Sequence, residues 1–379
     1  MKYYLSLPLL LMCLLVSCEK NAATDYEELL SPLYTPEYAS GFEVYSLDGC
    51  ASTVIRSKNP WMGASGECRD AFVRRGDEQP PKGFVGTVVP ADPQRIVVLS
   101  SSYIGMLDRL GAVQRIVGVS GLPYVTNAYL RDPRNGVRDL GFDLNYELLL
   151  SLAPDVVLLY GQESANTTVT NKLDELKVPY IYFGEYLEEH PLGKSEWIVA
   201  AGELLNRRDE AIRYQQEVSS RYNRVMEVVA QADMLPTVML NLPYNDVWQL
   251  PPKASFQTTL LTDAGSVPFY GSEERGEMQQ IGMETAIEYL QKADYWLHLG
   301  MVTDYRDLPP ALMARSSTIR PIQEDHLYNN NRITNDAGGN AYFETGPVEP
   351  DVILADLVSI FHPELMEHES VYYRHISVH

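Results

Sequence analysis

A helical passage with no strand character, residues 194–232, divides the chain between two series of alternating strands and helices. Within it Ala211, Tyr214, Val218, Tyr222, Val225 and Val229 recur at spacings of three and four, the period of one helix face. On its N-terminal side Arg95-Ile96-Val97-Val98-Leu99 is a continuous apolar run of the kind buried on both faces of a parallel sheet. The Ser100–Ser102 turn can cap the helix that follows, which stops at Gly111. Further strands at 116–119, 155–160 and 180–183 alternate with helices at 145–152 and 168–176. On the C-terminal side strands at 237–240 and 295–299 alternate with helices at 260–264, 285–290 and 351–361. Alternation of this kind builds βα lobes. The expected fold is α/β, with lobes at 93–193 and 233–379 joined by a long rigid helical connector.

Three segments precede the lobes. Residues 41–92 hold short β-rich runs (42–45, 52–56 and 86–89) between Gly, Pro and Asn, and read as a small antiparallel extension. Residues 18–40 are polar, carry Pro32 and Pro36, and read as a tether. Residues 1–17 combine Lys2 with an apolar run from Leu5 to Val16, the pattern of an export signal. That run is shorter than the roughly 18 apolar residues of a spanning helix. Leu15-Val16-Ser17-Cys18 resembles the lipobox of bacterial lipoproteins, which implies that Cys18 is acylated and becomes the mature N-terminus. A plain secretory signal fits the same residues. Cys50 and Cys68 then form an even pair in an oxidising compartment, compatible with a disulfide or with two unpaired thiols.

Charge and motif content exclude several functions. Asp plus Glu total 51 against 30 Lys plus Arg, a formal charge of -21, which suits neither nucleic acid nor anionic lipid heads. There is no phosphate-binding G-x-x-x-x-G-K-[ST] loop, no G-x-S-x-G elbow and no H-E-x-x-H. No catalytic residues are assigned, and an enzyme is not expected; a secreted hydrolase using paired carboxylates is the alternative of a different class. A bare-metal site is not expected, because the seven His are scattered or crowd the C-terminus.

The stretches 93–100, 110–112 and 116–119 together resemble the opening of the solute-binding proteins for iron-siderophores and cobalamin, the Fe/B12 periplasmic-binding family. Leu148-Leu149-Leu150-Ser151-Leu152-Ala153-Pro154-Asp155-Val156-Val157 is similar to that family's helix–strand unit, and the C-terminal stretch from Gly338 to Glu364 resembles the end of its lipoprotein members. The resemblance implies a class III periplasmic-binding-protein-like clamshell with one ligand in its cleft. It implies that one exposed Glu on each lobe docks onto Arg residues of an inner-membrane ABC permease. Glu147 takes that place in the first lobe; Glu284, with Glu288 as competitor, takes it in the second.

In open βα lobes ligands gather at the carboxyl ends of the strands. Those ends carry Ser101, Tyr103, Tyr124, Tyr160, Tyr186, Tyr244 and Trp248, and the aromatics offer flat apolar area with a polar tip for a bulky chelate. With 25 tyrosines in the chain, chance also places some there. Arg332 is a candidate partner for an anionic chelate or for Asp336, and Tyr342 for the same wall or for the core. The expectation is a monomeric periplasmic lipoprotein that touches the membrane through its lipid anchor only. It would capture an iron chelate, or alternatively cobalamin, and deliver it unchanged, without a cofactor of its own.

Overall fold

A computed structural model describes residues 26–59, 66–161, 165–273 and 278–379. Residues 1–17, expected as an export signal, Cys18, and the start of the expected tether lie outside the described residues. From Tyr26 the chain is already structured. A turn of 3-10 helix, Tyr26–Leu29, leads into β1, Leu30–Tyr34, which pairs antiparallel with β2, Phe42–Leu47. This corrects the reading of 26–34 as tether. Pro32 is tolerated because β1 is an edge strand.

Strands β3 (Thr53–Lys58), β4 (Cys68–Arg74) and β5 (Gly86–Pro90) complete a five-stranded sheet in chain order. It is antiparallel except for its last pair, β4 with β5, which is parallel. One face carries Phe42, Val44, Ile55, Ala71, Val73 and Val89 into the core of the first lobe. The other buries Leu47, Val54 and Phe72 under Tyr26. That period of two is what a sheet with two covered faces requires. Buried carboxylates tie the sheet down. Glu196 accepts the amides of Glu37, Tyr38 and Ala39, Glu188 accepts those of Ser40 and Gly41, and Glu203 accepts the Thr53 hydroxyl at 2.6 Å.

Cys50 and Cys68 are free thiols, and the disulfide does not form. Cys68 pairs with Lys58 at one end of the β3–β4 ladder, whereas Cys50 precedes Thr53 at the other. A strand length far exceeds the roughly 7 Å that a disulfide spans between Cα atoms.

The first lobe is a fully parallel sheet of β6 (Ile96–Val98), β7 (Ile116–Val119), β8 (Arg138–Asp139), β9 (Val156–Leu159) and β10 (Tyr180–Tyr182), in the order β10-β9-β6-β7-β8. The second lobe holds β11 (Thr237–Leu240), β13 (Val267–Pro268), β15 (Tyr295–Leu297), β16 (Leu327–Asn329) and β17 (Arg374–His375), in the order β13-β11-β15-β16-β17. Only its last pair is antiparallel. A separate two-stranded antiparallel sheet pairs β12 (Val247–Leu250) with β14 (Gln279–Gly282), and its Trp248 and Leu250 share an apolar core with Met239 and Trp296. Each sheet reverses its strand order once near the middle, at β6/β9 and at β11/β15, and these switch points are where parallel sheets open a crevice.

The connector comprises helices Pro191–Glu196, Ile198–Leu204 and Arg208–Val229. The last has 22 residues and belongs to both cores: Ala211 packs into the first lobe, Val218 and Tyr222 into the second. The chain also crosses back. Asn335 donates from Nδ2 to the carbonyls of Pro123 (3.0 Å) and Val125 (2.8 Å), and Glu344 accepts the amide of Thr126 at 2.7 Å. Arg109 pairs with Glu349, and the Tyr214 hydroxyl donates to the Val348 carbonyl. Two links between lobes limit hinge motion.

Candidate functional site

A cavity of about 390 Å³ lies between the two switch points. The first lobe contributes Ser101, which opens the helix after β6, and Tyr124, from the loop after β7. The second contributes Asn241 and His298, the residues that directly follow β11 and β15. Gln257, near the start of helix Phe256–Asp263, and Asn330, just past β16, widen the polar part. Gly300, Met301, Gly338, Gly339, Asn340 and Phe343 close the rest.

The wall is neutral among the described residues: four carboxamides, the hydroxyls of Ser101 and Tyr124, one imidazole and an apolar rim. Tyr124, Met301 and Phe343 are 49%, 69% and 55% exposed, so the rim presents unburied apolar surface toward the opening. Phe142 extends it, its ring 5.7 Å from that of Tyr124. Behind the wall, Ser102 donates to Glu185 at 2.5 Å. Burial pushes the Glu185 carboxyl above the usual range, an effect that Lys194 opposes. Burial pushes the Lys194 ammonium down, and it stands 4.7 Å over the ring of Phe256.

His298 is almost fully buried, and burial holds its pKa down to about 4, so the imidazole is neutral at ordinary pH. Its Nε2 lies 2.7 Å from the Tyr373 hydroxyl. Gly339 approaches the first lobe so closely that a Cβ there would sit 2.0 Å from the Tyr124 carbonyl oxygen.

Of the expected ligand contacts, Ser101 and Tyr124 line the cavity. Tyr103 does not. It is completely buried, donates to the Phe183 carbonyl at 2.9 Å and belongs to the first core. Trp248 is completely buried too, donates from Nε1 to the Leu240 carbonyl at 2.8 Å and packs on Trp296. Both are wall-supporting core residues, because their rings turn inward where the sequence offered a strand end. Tyr342 is buried beneath the wall, edge-on to His298 at 5.7 Å. Tyr244 is 76% exposed in a turn closed by Val247, outside the cavity lining. Arg332 is exposed and lies 3.5 Å from Glu369. Tyr160 and Tyr186 meet edge-to-face at the ends of β9 and β10, with the Tyr186 hydroxyl donating to the Gly161 carbonyl. His298, Asn241 and Gln257 were not anticipated. The cue for His298 was its place directly after an apolar strand and two residues before Gly300.

Glu147 and Glu284 occupy the same local position. Each is the second residue of its helix, Tyr146–Ser151 or Met283–Lys292, and each is exposed. Helices in βα units run antiparallel to their strands, so these helix starts lie at the strand ends that form the cleft. Neither carboxylate has an ion-pair partner among the described residues. Glu288, by contrast, holds Lys292 at 2.7 Å.

A second hollow, of about 170 Å³, lies where the N-terminal sheet meets the connector. Its Arg75 and Arg208 are paired with the buried Glu203 at 2.7 and 2.8 Å, which makes it a structural ion network. No group of three or more metal-ligating side chains occurs among the described residues, and none of their helices is long and apolar enough to cross a membrane.

The sequence matches the periplasmic binding protein family over residues 96–331, from the first strand of lobe one to the turn after β16. An uncharacterized lipoprotein of Methanocaldococcus jannaschii is 23% identical over 287 residues, covering 71% of this chain and 65% of that protein. The iron(3+)-hydroxamate-binding protein FhuD of Bacillus subtilis is 28% identical over 87 residues, 22% of this chain and 26% of that protein. This chain therefore spans less than two thirds of the length of either relative. A periplasmic binding protein of Veillonella parvula shares the fold, with 14% identity, a TM-score of 0.58, and coverage of 83% of this chain and 99% of that one. The family is one of binding proteins, not catalysts. With a match that takes in most of both lobes and their connector, this chain belongs to the periplasmic binding protein family.

Proposed function

We propose that this protein is the solute-binding lipoprotein of an ABC importer, held in the periplasm by a lipid on Cys18. It captures an iron chelate of siderophore type between its lobes and hands it to an inner-membrane permease. The observation that carries the reading is the cavity between the two switch points, walled by both lobes and rimmed by Tyr124, Met301 and Phe343. Such a wall suits a bulky ligand of low net charge. Its rim is apolar, its polar groups are mostly carboxamides that donate and accept, and no cation among the described residues lines it to neutralise an anion. The hydroxamate named for the Bacillus relative is a ligand of this kind. The same carboxamides favour cobalamin as the second reading, since a corrinoid carries an amide rim.

Glu147 and Glu284 dock the loaded protein, one per lobe. Their matching helix positions and the engagement of Glu288 by Lys292 favour Glu284 over Glu288. Tryptophan-fluorescence titration against ferric hydroxamates, ferric catecholates, cobalamin and free metal ions tests the reading. Saturable binding of an uncharged ferric chelate supports it; binding of none of the chelates or corrinoids overturns it.

A further inference from the structure

Resting on the reading that this protein hands its cargo to a permease, we propose that Phe142 and Tyr244 are the apolar anchors of that contact, one on each lobe. The surface they fit is a pair of apolar pockets, bordered by basic side chains, on the outer face of the permease.

Exposure is the first observation. Both rings are 76% exposed, more than any other aromatic ring among the described residues, and neither lines the cavity. Their chain neighbours show that core was within reach. Leu144, Tyr146 and Leu148 pack onto a core of the first lobe, and Leu242 and Trp248 into one of the second, while the two rings stay outside. A ring left in water forgoes the gain of burial until a partner covers it.

Position is the second observation. Each ring is fixed beside the helix start that carries an exposed Glu. In the first lobe Asp139 Oδ1 accepts the amides of Gly121, Leu122 and Gly141 at 3.0, 3.2 and 3.0 Å, which locks the loop after β8 onto the loop after β7. The Phe142 ring rests on Gly121, where a Cβ would come within 3.0 Å of it. Glu147 follows in the first turn of helix Tyr146–Ser151. In the second lobe Tyr244 and Val247 exchange both backbone hydrogen bonds, at 2.8 and 3.1 Å, around Asn245 and Asp246. Those two residues have φ of 50° and 61°, both left-handed, as a two-residue hairpin turn requires. Val247 pairs with Gly282, the residue before helix Met283–Lys292 and its Glu284. Phe142 packs on Tyr124 and Tyr244 follows Asn241 by three residues; Tyr124 and Asn241 line the cavity, so both rings belong to the cleft face. Two unlike stretches of chain thus deliver the same combination, a ring and a carboxylate.

Charge narrows the choice of partner. Asp143 and Glu147 in the first lobe, and Asp246 and Glu284 in the second, are exposed and have no ion-pair partner among the described residues. Such a border repels anionic lipid heads and the like-charged face of a second copy, whereas basic side chains around an apolar pocket complement it. Seating the ring in that pocket also excludes water from the neighbouring ion pairs, which strengthens them. Because the rings stand on different lobes, one partner engages both only at the lobe spacing it fits.

The test saturates the purified full chain with an uncharged ferric hydroxamate and titrates it into the permease in proteoliposomes, reading stimulated ATPase. Phe142→Ser and Tyr244→Ser are each expected to raise the half-maximal concentration at least ~10-fold, while Tyr244→Phe keeps the wild-type value. Melting temperatures and, for Tyr244→Ser, chelate affinity are expected to match wild type. A wild-type half-maximal concentration in either Ser variant overturns the inference, and if Glu147→Gln still weakens stimulation the proposed function stands. Undiminished stimulation in the ring and carboxylate variants alike overturns both. A fall in chelate affinity in Tyr244→Ser that matches its loss of stimulation gives the ring to the cargo and overturns the inference. So does a wild-type dimer in sedimentation, or pelleting with phosphatidylcholine vesicles, that Phe142→Ser abolishes.

Discussion

Asn241 and His298 stand side by side at the ends of neighbouring parallel strands, one step beyond the paired Leu240 and Leu297. The Asn241 amide donates to the Leu297 carbonyl at 3.0 Å, and both residues turn left-handed, with φ of 71° and 62°. This shared turn ends both strands of the switch point and sends both side chains into the cavity wall. Across the gap, Ser101 begins the helix that follows β6, and its Oγ lies 3.5 Å from the Phe343 carbonyl.

Trp248 supports this wall from behind. Replacing it with Ala removes a fully buried indole and is expected to cost about 3–5 kcal/mol, read from the urea midpoint. Trp248→Phe is expected to fold with unchanged chelate affinity. A large affinity loss in the Phe variant would return the residue to the ligand site.

Gly339 clamps the second lobe onto the first. In Gly339→Ala the new Cβ meets the Tyr124 carbonyl, so the loop must withdraw. A loss of about 1–3 kcal/mol is expected, with a wider interlobe distance by small-angle scattering. An unchanged melting temperature and profile would show that the cross-link is dispensable.

His298 sets a pH dependence. The unfolded histidine takes up its proton near pH 6.5, whereas the folded one resists until about pH 4. Between those values the unfolded chain binds more protons, so stability falls as pH falls. The full effect is roughly 3 kcal/mol. Buried Glu185 and Glu344, whose pKa values burial raises, act in the opposite sense. The measurement is therefore the difference between wild type and His298→Asn across this window: wild type loses ground as the pH drops, and a flat difference refutes it.

The proposed docking role of Glu147 and Glu284 is expected to separate binding from delivery. Glu147→Gln and Glu284→Gln are expected to leave chelate affinity intact and to weaken stimulation of the permease's ATPase in proteoliposomes. Glu288→Gln is expected to leave both intact. Loss of chelate affinity in Glu147→Gln would mean the residue acts at the cleft.

Much of the scaffold is legible in the chain. Ile96–Val98 and Val156–Leu159 are apolar throughout because both faces of a central parallel strand are covered. The two-residue strands Arg138–Asp139, Val267–Pro268 and Arg374–His375 are too short to carry a period, and only their neighbours define them. The site is harder to read. Strand ends locate Ser101, Tyr124 and Gly300, but they do not say which way a ring turns, so Tyr103 and Trp248 looked like ligand contacts while filling cores. The left-handed turn at His298 is followed by long-range hydrogen bonds, from the Leu299 amide to Asn329 and from Asn331 to the Val302 carbonyl, which no local pattern encodes.

The central claim, that cargo is held between the lobes, is tested most directly by calorimetric titration of an uncharged ferric hydroxamate into wild type and into Tyr124→Ala/Phe343→Ala. Both rings are substantially exposed, so the fold survives their removal. The account expects one site in wild type and at least ~30-fold weaker binding in the double variant. Equal affinity in the two proteins would contradict it.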